Sequence, residues 1–278
     1  MENEPDLVIS EVSVTNIKKR RKKNWVDFVL LAVIYWLLLV GFAIIGWRVY
    51  LHFNEAKLNK EAVELVANLD LPQETQDIDS TLIDRLREAF KNPDIIAYLV
   101  VPDAGIEYPV VQGETNDTYL HKNIYGQYTI YGSIFLDADS NPDFLDRASA
   151  IYGHHMIDKS MFGGLERTYR DSVDGKYFMV YTREKALKYD ILCSTLTDAY
   201  GINPYMGDPG QNTVDFVENL KARAKRWNNS LTYDETSRFV SLMTCYGDGQ
   251  KYRYGITGIL KEKTFIKNEL EVNNENNE

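Results

Sequence analysis

Residues 238–260 read RFVSLMTCYGDGQKYRYGITGIL. Two β-type runs, RFVSLMTC (238–245) and RYGITGIL (253–260), flank a stretch of Gly and polar residues, the pattern of adjacent strands joined by a turn. Cys245 closes the first run and Arg253 opens the second, eight residues later. On paired strands, side chains at such positions meet across the ladder.

Upstream the same signal recurs six times. The runs are IIAYLVV (95–101), IEYPVVQ (106–112), GSIFLD (132–137), ASAIYGH (148–154), KYFMVYT (176–182) and KYDILCSTL (188–196), separated by Gly, Pro, Asp and Asn clusters. Eight short runs at this spacing predict an all-β barrel or sandwich. One helical insertion interrupts them between Thr213 and Trp227, where Val214, Val217, Leu220 and Ala224 form a stripe. Before the first run, Leu58, Ala62, Leu65, Val66 and Leu69 recur at helical spacing until Leu71-Pro72. A second helix is predicted from about Ser80 to Lys91, with Leu82, Ile83, Leu86 and Phe90 on one side, Ser80 or Asp79 as cap and Pro93 beyond its end. These helices form either a stalk or a layer on the domain.

The N-terminal part has a different character. Phe28–Trp47 reads FVLLAVIYWLLLVGFAIIGW, twenty residues without a charge. At 1.5 Å per residue this spans about 30 Å, the thickness of a bilayer's hydrocarbon core. Trp25 and Trp47 sit at its ends, and Lys18, Lys19, Arg20, Arg21, Lys22 and Lys23 precede it. Basic residues are retained on the cytoplasmic side, so the long C-terminal part is expected outside. A cleaved signal peptide would have a shorter apolar region and a small-residue cleavage site, whereas this segment ends in Ile45, Trp47 and Tyr50. The expected organisation is a cytoplasmic tail (1–24), a transmembrane anchor (25–48), N-terminal helices (49–91), a β-barrel (92–264) and a disordered acidic tail (265–278). The net charge of −10 argues against nucleic acid as a partner.

Three residue types at strand ends carry chemistry. A thiol acts as a nucleophile when a base or a cation favours its thiolate, and Cys245 stands on a rigid strand. Arg253 offers a fixed fork of donors for thiolate or oxyanion. His154, ending ASAIYGH, supplies an imidazole that can take a proton and later return it to a leaving amine. Each signal alone has a plainer explanation: a buried inert thiol, a solvated arginine, a loop histidine. Adjacent His154 and His155 could also form half a zinc site, but no further His or Cys cluster supplies the remaining ligands. The other cysteine, Cys193, lies in an apolar run and reads as a core thiol; a disulfide between it and Cys245 would exclude thiol catalysis.

With these residues in view, the sequence resembles class B sortases. SLMTC followed by Arg253 is similar to the sortase signature, in which a TLxTC strand precedes an arginine strand. IYGHHM followed by SMF is similar to the class B histidine strand, and NPDIIAYLVVPDAGIEYPVVQ and GSIFLD extend the resemblance over roughly Asn92 to Lys261. It implies a closed eight-stranded β-barrel with N-terminal helices, and catalytic roles for Cys245 (nucleophile), His154 (acid/base) and Arg253 (oxyanion and substrate). It also implies cleavage of a C-terminal sorting signal on secreted proteins after a Thr, transfer of the acyl group to a cell wall precursor amine, and no metal or organic cofactor. The departures are Ser241 for Thr, Met243 where class B often has Ser, Ala97-Tyr98 for Gly-Trp, and Asp248 displaced behind Gly247.

Three other functions share parts of this pattern. A cysteine protease would use the same residues with water as acceptor. An anchored adhesin would not need Cys, His and Arg together. A pilus-polymerising sortase would use a pilin lysine, but its Asp-Pro-Trp-type lid motif is not found; Asn92-Pro93-Asp94 reads as the entry to the first strand.

Overall fold

A computed structural model describes residues 25–67, 81–198, 212–246 and 251–265. The expected caps Ser80 and Asp79, the Leu69–Pro72 helix end, Asp248, the N-terminal tail and the C-terminal tail beyond Phe265 lie outside the described residues. The chain divides into two units, Met1–His52 and Phe53–Glu278. The first contains most of the apolar part of helix α1 (Trp25–Ala67), whose window Trp25–Leu51 is long and apolar enough to cross a membrane. The expected boundary at residue 48 is not a break in the helix: RVYLHFNEAK continues α1 without a Gly or Pro to stop it.

In the second unit all eight β-type runs form strands: β1 (Ile95–Val101), β2 (Ile106–Val111), β3 (Ile134–Leu136), β4 (Ala148–Tyr152), β5 (Tyr177–Tyr181), β6 (Lys185–Asp198), β8 (Phe239–Tyr246) and β9 (Tyr252–Phe265), with β7 introduced below. They pair in the order β5-β1-β2-β3-β4-β8-β9-β6, and β6 pairs with β5, closing an eight-stranded barrel. Most ladders are antiparallel, but β2–β3 and β4–β8 are parallel. Inside, Leu99, Val110, Ile134, Ile151, Phe162, Phe178, Val240, Leu242 and Ile256 belong to one buried cluster.

Two additions cover the barrel wall. Helix α2 (Leu82–Phe90) buries Leu82, Ile83, Leu86 and Phe90 in a second cluster with Ile95, Tyr98 and Val111, so it is a layer on the domain. It stops at Lys91, which turns into the left-handed region (φ 52°) two residues before Pro93, while Asn92 N–H donates to the Arg87 carbonyl at 3.1 Å. Among the described residues its N-cap is Thr81, which makes no side-chain cap bond.

The insertion departs from its expected extent. Helix α4 covers only Thr213–Lys221, capped by the Asn212 side chain accepting from Asp215 N–H, and Ala224–Trp227 form strand β7. The reason is tertiary. β5 pairs with β6 only as far as Asp190, so the second half of β6 has an open edge on that side. β7 fills it, with Cys193 opposite Trp227 and Ser194 opposite Arg226. A short helix, α3 (Leu165–Tyr169), follows the histidine loop.

Candidate active site

Cys245 and Arg253 are Cα partners on the antiparallel β8–β9 ladder, directly opposite each other. Directly opposed residues have Cα atoms about 4.5–5.5 Å apart. On the other side of β8 lies β4, in parallel register: Ile151 opposite Leu242 and Tyr152 opposite Met243. Gly153 N–H donates to the Met243 carbonyl at 3.1 Å. Carried two residues on, the register sets the backbone of His154 alongside that of Cys245. The three predicted site residues thus stand side by side at one end of three neighbouring strands, β4, β8 and β9.

The histidine lies just past the end of β4, and its loop explains the YGHHM…SMF pattern. The chain folds back so that Phe162 N–H donates to the His154 carbonyl at 3.0 Å, while His155 forms a bridge with Met161. Gly153 has no room for a side chain: a Cβ there would sit 2.4 Å from Ile134 Cδ1 and 2.8 Å from Phe162 Cδ2. The His154 ring is half-buried, and its Nε2 lies 2.8 Å from the Leu120 carbonyl oxygen. His155 differs: its Nδ1 is buried and finds no hydrogen-bond partner among the described residues.

From sequence, His121 reads only as a loop residue. In the fold its ring stacks on His154, with centroids 6.0 Å apart and planes inclined by 23°. Asp137, at the end of a predicted strand, also gains a role that sequence reasoning missed. It is 4 % exposed, and its Oδ2 accepts from Tyr152 OH (2.8 Å) and Asn116 Nδ2 (2.9 Å), tying the strand before His154 to the loop that carries Leu120. The signal that could have found both is the Asn116-Asp-x-Tyr119-Leu120-His121 run, set between two predicted strands and rich in side chains that can hydrogen-bond.

Cys193 is free, fully buried, and sits opposite Thr257 on β9. It is two strands and four residues from Cys245, about 16 Å at ordinary strand spacings. A disulfide needs Cα atoms within about 7 Å. Burial pushes its thiol up from 9.0 to about 12, opposed by hydrogen bonding to Thr257. It is therefore a core thiol. Ser241, which stands where the signature has Thr, keeps a use for its hydroxyl: its Oγ lies 2.8 Å from Thr257 Oγ1 in the buried layer.

A sortase domain family model matches residues 99–260. Sortase B of Listeria monocytogenes is 31 % identical over 233 residues, covering 78 % of this chain and 91 % of that protein. The chain belongs to the sortase family, class B. A Streptococcus pyogenes class B sortase involved in pilus biogenesis is 31 % identical with a TM-score of 0.56, covering 64 % of this chain and 97 % of that one. Sortase B from B. anthracis has the same fold, with a TM-score of 0.63 at 24 % identity over 76 % of this chain and 99 % of that one. As a class B sortase the protein is a cysteine transpeptidase, and its eight-stranded barrel is that of sortase structures.

Proposed function

We propose that this sortase is held in the cell membrane by α1 with its N-terminus in the cytoplasm, and that its extracellular barrel joins secreted proteins to the cell wall. The substrate is a C-terminal sorting signal, cut after a Thr, and the acceptor is an amine of the peptidoglycan precursor. The observation that carries the reading is the register of β4, β8 and β9, which aligns His154, Cys245 and Arg253. The anchor rests on the uncharged helix and the six basic residues before it.

The roles follow from the chemistry of the three groups. His154 takes the proton of the Cys245 thiol, and the thiolate attacks the threonine carbonyl carbon. The charge that develops on the carbonyl oxygen is held by the Arg253 guanidinium. As the C–N bond breaks, His154 returns its proton to the leaving amine, and a thioester remains on Cys245. The acceptor amine then attacks the thioester, gives up a proton to His154 and displaces the thiolate. A new amide is formed and the enzyme is regenerated.

A second acceptor is favoured by one comparison, the 31 % identity to a class B sortase involved in pilus biogenesis. On that reading a pilin lysine takes the acyl group. One experiment separates the outcomes: incubate the enzyme with a library of sorting-signal peptides and, in parallel, with a Gly or diaminopimelate amine, a lysine peptide or water alone. Amide products with the wall amine support the proposal, lysine products the pilus reading, and free acid only a hydrolase. His154→Ala should lower turnover by several orders of magnitude and His155→Ala far less; equal losses would remove His154 from the acid/base role.

A further inference from the structure

Around the His154 ring, the segment from Tyr119 to Ser133 is ordered carbonyl by carbonyl. Ser133 N–H donates to the Tyr119 carbonyl at 3.1 Å, and Thr129 N–H donates to the His121 carbonyl at 3.0 Å. Ser133 Oγ donates to the Lys122 carbonyl at 2.8 Å. Between them, the Leu120 carbonyl is the one turned to His154 Nε2. A carbonyl oxygen only accepts, so at 2.8 Å the Nε2 must carry a hydrogen. In neutral imidazole only one nitrogen does so, which leaves Nδ1 with the lone pair.

The placement of that carbonyl depends on Gly132. Its φ of +57° belongs to the left-handed region, and a Cβ there would meet Leu120 O at 2.6 Å, Tyr119 O at 2.9 Å and His154 Cδ2 at 3.0 Å. Two of the three crowded atoms are main chain and the third is the imidazole itself. Any side chain at 132 therefore pushes apart the two groups that the hydrogen bond joins.

We propose that the Leu120 carbonyl, seated by Gly132, is a positioning group that locks His154 in the Nε2–H tautomer and so makes Nδ1 the atom that exchanges protons. In the acylation step Nδ1 takes the thiol hydrogen. The imidazolium then carries hydrogens on both nitrogens, Nε2–H stays on Leu120, and Nδ1–H goes to the leaving amine. The assignment rests on the proposed acid/base role of His154, but its test does not depend on turnover.

The chain has four histidines, so the full-length protein in detergent micelles, labelled with ¹⁵N-histidine, gives a small set of imidazole signals. His154→Ala identifies the one that matters. Two-bond ¹H–¹⁵N correlations on neutral imidazole should show Nε2 protonated and Nδ1 bare at His154. The comparison pair is Gly132→Ala and Gly126→Ala, because Gly126 also has positive φ (+75°) but nothing within 4 Å of its Cβ position. Gly132→Ala should mix the two tautomers and lower single-turnover acylation by about 10²-fold, the scale of an approximately 1 Å misplacement. Peptide binding on a Cys245→Ala background should change little, and Gly126→Ala should leave tautomer and rate alone. A wild-type His154 protonated on Nδ1 overturns the proposal whether or not any variant folds. A Gly132→Ala enzyme that keeps the pure Nε2–H signature and the wild-type rate overturns the part assigned to Gly132. Loss of the acid/base role itself would appear separately, as an active His154→Ala enzyme.

Discussion

Adding one methyl group at Gly153 should damage both fold and catalysis, by amounts that the packing sets. The new Cβ would lie 2.4 Å from Ile134 Cδ1 and 2.8 and 2.9 Å from Phe162 Cδ2 and Cγ. Carbon atoms rest at about 3.5–4.0 Å, so the gap must open by about 1 Å. Neither neighbour can swing into solvent, because Ile134 is 1 % and Phe162 0 % exposed. Overpacking of this kind costs about 1–3 kcal/mol. For a domain of this size, that lowers Tm by roughly 2–12 °C. Relief comes either from moving Phe162, whose N–H holds the His154 carbonyl at 3.0 Å, or from drawing residue 153 away from Met243, whose carbonyl holds Gly153 N–H at 3.1 Å. Both routes move His154 relative to Cys245, and a shift of about 1 Å costs roughly 10²-fold in rate. Thermal unfolding and single-turnover thioester formation on Gly153→Ala measure the two effects. Ile134→Val deletes the closest clashing carbon. Alone it should cost about 0.5–1.5 kcal/mol, but in the Gly153→Ala background it should be neutral or stabilising, a coupling that a double-mutant cycle reads directly. A Gly153→Ala enzyme with unchanged Tm and wild-type acylation would refute the reasoning.

Further expectations concern the thiols, the arginine and pH. Cys245→Ala should abolish peptide cleavage and Cys193→Ala should leave most of it; alkylation of the folded enzyme near pH 8 should label Cys245 alone, since the Cys193 thiol is buried and raised to about 12. Labelling of both at equal rates, by peptide mass, would contradict this. Arg253→Lys keeps the charge but loses the fork, and should lower acylation by about 10²-fold while weakening peptide binding much less; equal losses would make Arg253 a substrate clamp. Stability should fall as pH rises above about 9. Cys193 keeps its proton to about 12 when folded but loses it from 9.0 when unfolded, and burial raises Tyr119 and Tyr181 to about 12 in the same direction. The unfolded chain then binds fewer protons, so denaturant midpoints should drop between about pH 9 and 11 and drop less in Cys193→Ala. A flat midpoint across that range would mean these groups are not buried in solution.

The eight barrel strands were legible because each is a short, mostly apolar run bounded by turn residues, and a helix long and apolar enough to cross a membrane was legible from its twenty uncharged residues. β7 was not, because Ala-Lys-Arg-Trp carries no strand pattern of its own and exists only because β6 outruns β5. Its Ala224 even continues the helical stripe of α4. Cys245 and Arg253 could be paired from eight residues of spacing, since a hairpin is local. The surroundings of His154 could not be read, for a physical reason. The group that faces its Nε2 is a main-chain carbonyl, and every residue has one. For that carbonyl the hint was the glycine at 132, and a glycine that opens a predicted strand is easily taken for the end of a turn.

The alignment of His154 with Cys245, the proposed base and nucleophile, depends on one parallel seam, β4 on β8, between segments far apart in sequence. A parallel pair is stable when both faces are covered, and in this barrel they are. Ile151, Val240 and Leu242 face the barrel interior. Ala148, Ala150, Phe239 and Met243 face outward, where Phe216, Val217 and Leu220 of α4 cover them. This is why FVSLMT reads as buried throughout and not as an alternating strand. It also gives the helical insertion a role in holding the seam that positions the candidate site. Were β4 to slip by one residue, Ile151 would turn toward α4, where the packed layer holds only alanines from this strand, and Ala150 would turn into the interior, leaving a void. The two layers together therefore select a single register. That register, carried two residues past Tyr152, brings His154 level with Cys245 and leaves Arg253 on the far side of the same strand.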